Sequence, residues 1–260
     1  MKNGILTLGC LVILIAALLF SIRLLPQHIH DGFESTRLNS FRWSTRRFVA
    51  GAVQSETTVV YSGARALAIT VRDGDRYEAA SEGGAATERG ELMESWWLYA
   101  RAGHSYVYSF SLNLPKDLPQ TSERLVIAQW RQLCEARHCE PDRPIIAIRY
   151  EDGRLQVTKQ DQERKIVLYQ GNEDVRGKWL SFRFAVVFSS SADGKIEATV
   201  NRERIVDYQG PTLFRTSPAY PLGGLVYFKT GLYRDALQRP PWTIYVDDYR
   251  KDECSSRGCF

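Results

Sequence analysis

From about Thr57 to Tyr249 the chain alternates apolar and polar residues in short runs, each closed by a turn signal. Thr57-Thr58-Val59-Val60-Tyr61 runs into Ser62-Gly63, and Ala66–Val71 into Asp73-Gly74. Ile145–Tyr150 meets Glu151-Asp152-Gly153 and resumes as Leu155-Gln156-Val157. Leu180–Phe188 sets Phe182, Phe184 and Val186 on one face, and Ala192-Asp193-Gly194-Lys195 then leads into Ile196–Val200. A period of two marks strands, and Asp-Gly between such runs is a strong short hairpin signal. Beyond Gln27 no segment carries a convincing helical period. The pattern therefore predicts an all-β sandwich or barrel with no helix longer than a few turns.

The N-terminus differs. Ile5 to Ile22 is almost wholly apolar, between Lys2 and Arg23. It is long enough to cross a bilayer, and Phe20-Ser21-Ile22-Arg23 is a poor signal-peptidase site, so an uncleaved anchor is expected over a cleaved signal peptide. Cys10 precedes most of the apolar run, which argues against lipidation. Residues 1–30 thus read as signal-anchor segment and linker, with Gln27 to Ser35 leading into one domain over 31–260. Either reading exports the domain, to the periplasmic face of the inner membrane or as a secreted protein. The other cysteines form two close pairs, Cys134/Cys139 and Cys254/Cys259, each with four residues between. Outside the cytoplasm such pairs read as disulfides, against a rival four-cysteine zinc site.

Charge changes the picture little. Charged residues make up 25% and the formal net charge is +4, which is compatible with an anionic ligand and identifies none. Three strand-like segments carry more. In Tyr227-Phe228-Lys229-Thr230-Gly231-Leu232-Tyr233, period two puts Tyr227, Lys229, Gly231 and Tyr233 on one face, with Gly231 leaving room for a ligand to approach the backbone. Gln129 and Arg131 share a face in Ile127–Arg131, and Arg89 and Glu91 in Glu88–Leu92. Taken singly, these are ordinary solvated strand charges and rim tyrosines. Together they form a surface suited to a sugar chain bearing carboxylates, since guanidinium pairs bidentately with carboxylate and tyrosine offers stacking area with a hydroxyl. Trp96 and Trp97 are a possible sugar platform, but on a strand they would face opposite ways, leaving at least one in the core.

The combination resembles a known family. Arg89-Gly90-Glu91-Leu92, Gln129-Trp130-Arg131 and Tyr227-Phe228-Lys229-Thr230-Gly231-Leu232-Tyr233 follow the order of an Arg-x-Glu-Leu, a Gln-x-His and a Tyr-Phe-Lys-x-Gly-x-Tyr strand. These mark jelly-roll alginate lyases and the related heparin lyase I and glucuronan lyase group. Ala128-Gln129-Trp130, Gly231-Leu232-Tyr233-Arg234 and the closing Thr243–Tyr249 are similar to that second group. The resemblance implies a concanavalin-like jelly roll that cleaves an acidic, uronate-containing polysaccharide by β-elimination. It implies that Gln129 and Arg89 hold the substrate carboxylate, that Tyr233 donates a proton to the leaving oxygen and can also act as base, and that Lys229, Glu91 and Tyr227 line the groove.

One departure matters. The family histidine after Gln-Trp is Arg131 here, and guanidinium cannot serve as a base. Either Arg131 acts by charge alone while Tyr233 takes both proton-transfer roles, or the protein binds acidic polysaccharide without cleaving it. His104, read as a turn residue, and His138, in the Cys134–Cys139 loop, are the other histidines of the folded part; His28 and His30 flank the anchor. The Glu-x-Asp-x-x-Glu strand of retaining glucanases is absent, and Asp247-Asp248 are adjacent and face opposite ways. No serine elbow, phosphate loop or metal motif appears, so no cofactor, no metal and no nucleic-acid partner is expected.

Overall fold

The computed structural model describes residues 27–45, 47–75, 87–121, 123–134, 143–215, 224–236, 240–254 and 259–260. The expected anchor and linker up to residue 26, and Cys139 and His138, lie outside the described residues. Among those described, no helix is long and apolar enough to cross a membrane. The strands are β1 (His28–Asp31), β2 (Trp43–Ser44), β3 (Val53–Glu56), β4 (Ala66–Val71), β5 (Thr87–Glu94), β6 (Ala100–Arg101), β7 (Ser105–Asn113), β8 (Leu125–Gln132), β9 (Ile146–Glu151), β10 (Arg154–Gln160), β11 (Lys165–Gln170), β12 (Trp179–Val187), β13 (Lys195–Val200), β14 (Glu203–Gln209), β15 (Leu225–Asp235) and β16 (Trp242–Cys254).

They build two antiparallel sheets. One runs β14-β13-β12-β7-β16-β4-β3, with β1 on β16; the other runs β11-β10-β9-β8-β15-β5-β2, with β6 on β15. The expected all-β sandwich is the fold. Its core follows from the alternation: Phe182, Phe184 and Val186 of β12 are buried, while Ser181, Arg183 and Val187 are less so. Trp130 of β8 meets Phe228 at 4.9 Å and Phe184 of the opposite sheet at 4.8 Å, and Phe110 stacks on Phe182 at 5.3 Å. Aromatic area of this kind dominates a core only one sheet spacing thick.

The hairpin signal at Asp152-Gly153 holds, and a second two-residue turn has the same left-handed backbone. Asp152 (φ 49°) and Gly153 (φ 82°) join β9 to β10, and Asn201 (φ 50°) and Arg202 (φ 70°) join β13 to β14. Paired positive φ values match the right-handed strand twist.

Several expectations are corrected. Residues 57–61 bend instead of forming a strand. The Glu56 carboxylate accepts from the amides of Thr57, Thr58 and Val59, and the Asp247 carboxylate from those of Tyr61 and Ser62, so side chains satisfy backbone that a ladder would otherwise pair. The expected linker contains a strand, β1, paired along β16. Trp96 and Trp97 sit in a 3₁₀ turn, Trp96–Leu98, where alternation does not apply and neither ring enters the core. Gly231 makes room for β5, not for a ligand: at φ 141° a Cβ there would lie 2.1 Å from the Gly90 carbonyl oxygen. The register of β15 against β8 shifts between Thr230 and Tyr233, so Gly231 lies in a bulge. Cys254 and Cys259 form a disulfide, and Cys134 is disulfide-bonded, as expected.

Replacing Gly231 with alanine forces β5 and β15 apart at strained backbone. Gly231→Ala is expected to lower stability by roughly 2 kcal/mol or more, read as a shifted urea midpoint.

A cationic face on the central strands

β8, β15 and β5 are neighbours, and register puts the expected residues on the outer face of their sheet. Tyr227 pairs with Arg131, Lys229 with both Gln129 and Met93, Gly231 with Glu91, and Tyr233 with Arg89 and Val126. Directly opposed residues share a face, so the expected site residues all lie there, with Tyr227 and Arg131 toward one end and Tyr233 and Arg89 toward the other. Phe228, Thr230 and Leu232 point into the sandwich and are buried.

The middle of the face is a buried polar knot. Lys229 Nζ donates to Glu91 Oε2 at 2.8 Å, Gln129 Nε2 donates to Glu91 Oε1, and Arg89 Nη1 stands 4.0 Å from Glu91 Oε2. Glu91, Gln129 and Lys229 are each no more than 3% exposed. Burial alone would raise the Glu91 carboxyl, but Lys229, Arg89 and the bonds from Lys229 and Gln129 outweigh it and hold it below its ordinary value. Lys229 moves down to about 7, through burial and through repulsion from Arg131 and Arg89, against the pull of Glu91. An ammonium this close to neutrality next to fixed guanidinium groups gains much from an incoming anion.

Around the knot the face is more open. Tyr233 is half-buried, with the Arg89 guanidinium 4.7 Å and that of Arg124 5.2 Å from its ring centroid. Arg124 also pairs with Asp235. Arg149 of β9 lies in the same cross-strand row as Val126 and Tyr233 and donates from Nε to Thr158 Oγ1 at 3.2 Å. Burial, then the nearby charge of Arg124, pulls Arg149 below its ordinary value, and its charge is also coupled to Tyr233.

Arg124 and Arg149 were not singled out from the sequence. Arg149 alternates correctly for this face, on the same side as Ala147 and Glu151. However, nothing local says that β9 lies beside β8, because the connection between them spans residues 133–145. His104 lies elsewhere, in the turn before β7, with Nδ1 2.7 Å from Glu253 Oε1. Among the described residues no histidine stands on the cationic face, and none form a cluster able to hold a metal.

The protein is thus an antiparallel β-sandwich that carries a cationic face on one of its two sheets. The chain belongs to the polysaccharide lyase family, which it matches over residues 30–250, and it is a polysaccharide lyase. Among solved structures it is similar to the endo-β-1,4-glucuronan lyase of the fungus Trichoderma reesei, at 15% identity and a TM-score of 0.67, over 87% of this chain and 95% of that one. It is also similar to an alginate lyase of polysaccharide lyase family 7, at 14% identity and a TM-score of 0.55, over 83% and 96% of the two chains. The catalytic domain of a glycoside hydrolase family 131 protein from Coprinopsis cinerea shares the fold as well, at 13% identity and a TM-score of 0.54, over 82% and 84%. At such identities the likeness is one of fold, which hosts more than one chemistry. A comparison with curated proteins found no match.

Glu91→Gln is expected to destabilise by about 3 kcal/mol, because it leaves buried Lys229 without its counter-charge. The loss has a pH signature. Lys229 titrates near 7 when folded and 10.5 when unfolded, so the folded protein binds fewer protons across that window and stability rises with pH there. Glu91 is also depressed, so its contribution is present at neutral pH and is lost as pH falls through the carboxylate range. Without Glu91, Lys229 becomes harder still to protonate. The variant should therefore lose more, relative to wild type, near pH 6 than near pH 9 in matched urea titrations.

Proposed function

We propose that the protein is an exported lyase that cleaves a uronate-containing polysaccharide by β-elimination on the outer face of β5, β8 and β15. The observation that carries this reading is the clustering of Arg89, Arg124 and Arg149 around a half-buried tyrosine, Tyr233, with Lys229 and then Arg131 farther along the same face. A uronate C5 proton is only weakly acidic until its carboxylate is neutralised. Preorganised cations aimed at that carboxylate supply much of the required stabilisation. Arg89 and Arg131 take this role, with the second amide hydrogen of Gln129. Glu91, already engaged by Lys229 and Gln129, acts as a positioning residue that fixes both. Tyr227 lines the groove beside Arg131.

The proton balance needs an acceptor for the C5 proton and a donor to the leaving oxygen, and one residue serves as both in turn. Tyr233, as phenolate, takes the C5 proton. The electron pair left on C5 forms the C4–C5 double bond, the C4–O bond breaks, and the regenerated phenol returns a proton to the departing oxygen. Arg131 stands where the resembled family carries histidine. It contributes charge and no proton transfer, which leaves both transfers to Tyr233.

The likeness to a glucuronan lyase structure favours glucuronate as the uronate unit. The Cys254–Cys259 disulfide and the bonded Cys134 support an oxidising compartment, hence export, with the Ile5–Ile22 segment as the membrane anchor.

Purified protein incubated with polyglucuronate, alginate and heparin should raise absorbance in the unsaturated-uronate band with at least one of them. Tyr233→Phe is expected to abolish that signal while polymer binding changes less than about twofold, since only a hydroxyl is lost. Arg131→His should retain or raise activity. A Tyr233→Phe variant that cleaves as well as wild type would end the assignment.

A further inference from the structure

The cationic face is bordered by a surface of opposite character. On the β2/β5 side lies a pocket of about 290 Å³, floored by Met93 and walled by Trp96, Trp97 and Tyr99, with Ser44 and Thr45 among its hydroxyl groups. Among the described residues no charged side chain lines it. Its volume falls near the lower end of the range for small-ligand sites. Phe41 and Trp96 are 65% and 53% exposed, among the few large apolar side chains that are. Phe41 packs on Trp97 at 4.9 Å, and Trp97 meets Trp96 edge-on at 5.5 Å. Three aromatic rings held together at a surface, by a turn and loop that bury none of them fully, do little for the core. Exposed patches of this kind mark binding sites.

The pocket is continuous with the candidate site. Met93, its floor, is the register partner of Lys229 on the next strand, about 4.8 Å away. Tyr99, in its wall, lies 5.1 Å from the ring of Tyr227, which pairs with Arg131. A polymer with a uronate over Lys229 and Arg131 therefore passes directly into the aromatic pocket.

We propose that this pocket is a subsite for a neutral sugar residue, so that the substrate is a heteropolysaccharide in which uronate units are joined to neutral ones. This rests on the uronate reading of the cationic face. Indole and phenol rings pack against the apolar C–H face of a pyranose, and Ser44 and Thr45 offer partners to its hydroxyl groups. Among the described residues no cation lines the pocket to receive a carboxylate, whose desolvation there is costly. The two halves of the face thus select opposite residues of one chain.

The test compares polyglucuronate with its partly carboxyl-reduced form, in which some glucuronate has become glucose with every linkage kept. Binding is measured by titration calorimetry at equal chain length and ionic strength. Wild type should bind the partly reduced chain several-fold more tightly, and Trp96→Ala should lose about tenfold for that chain while changing little for polyglucuronate. Both Trp96 and Phe41 are exposed, so Trp96→Ala and a second variant, Phe41→Ala, should fold; thermal melts check this. Equal or tighter binding of polyglucuronate by wild type overturns the proposal, as does a loss at Trp96→Ala that is the same for both chains. Failure of the uronate reading looks different: wild type then binds neither chain, and the subsite falls with it.

Discussion

Three buried carboxylates on one strand hold this structure in place. Glu88, Glu91 and Glu94 follow one another at intervals of three along β5, so the strand's alternation sends Glu88 and Glu94 into the sandwich and Glu91 out of it. Glu88 accepts from Arg234 of β15 at 2.8 Å and from the Gly74 amide. Glu94 accepts from the Tyr249 hydroxyl at 2.6 Å and from Lys251 at 3.0 Å, both on β16 of the opposite sheet, and from the Phe228 amide. Glu91 holds Lys229 and Gln129. Each carboxylate fixes a different neighbour, and together they tie β15 to β5, to β8 and, through Glu94, to β16 of the opposite sheet. Buried ion pairs are weak sources of net stability, but they are intolerant of the wrong register, because any slip strands a charge.

That intolerance matters for chemistry. A site made of long, flexible cationic side chains has to be rigid to act before substrate arrives, and surface arginines alone are not. Here the inner pairs set the strands, the outer pair sets Lys229 and Gln129, and the guanidinium groups of Arg89 and Arg124 rest on the ring of Tyr233. The same design explains why the outer face of the central strands is so buried. β8 is almost continuously buried and β15 is buried without a break from Phe228 to Leu232, whereas β12 of the other sheet alternates from Trp179 to Phe184. The outer surface of the site sheet is a second, polar core.

Much of this was legible in the chain. Turn-bounded alternation gave the all-β fold, and the face shared by Tyr227, Lys229 and Tyr233 survives unchanged in the structure. The disulfide Cys254–Cys259 follows from spacing. Where the reading went astray, side chains had replaced the ladder. Glu56 and Asp247 cap the bend at residues 57–61, which alternates like a strand and is not one. Trp96 and Trp97 leave the strand for a turn, so the parity argument that sent one of them to the core had no purchase.

The sequence by itself determined which side chains share a face, because a period of two is a local property of extended backbone and needs no partner. Only the tertiary structure decided which faces meet. Arg149 reaches Tyr233 because β9 docks beside β8 across a connection that carries no pairing signal. Gly231 is required by the carbonyl of Gly90, a residue far away in the chain and 2.1 Å from where a Cβ would stand. Glu91 looks like a substrate ligand on its own strand and becomes an anchor only when Lys229 and Gln129 arrive from two others. Contacts between strands distant in sequence depend on the order of the sheet, and that order is chosen by the packing of the whole core, not by any one segment.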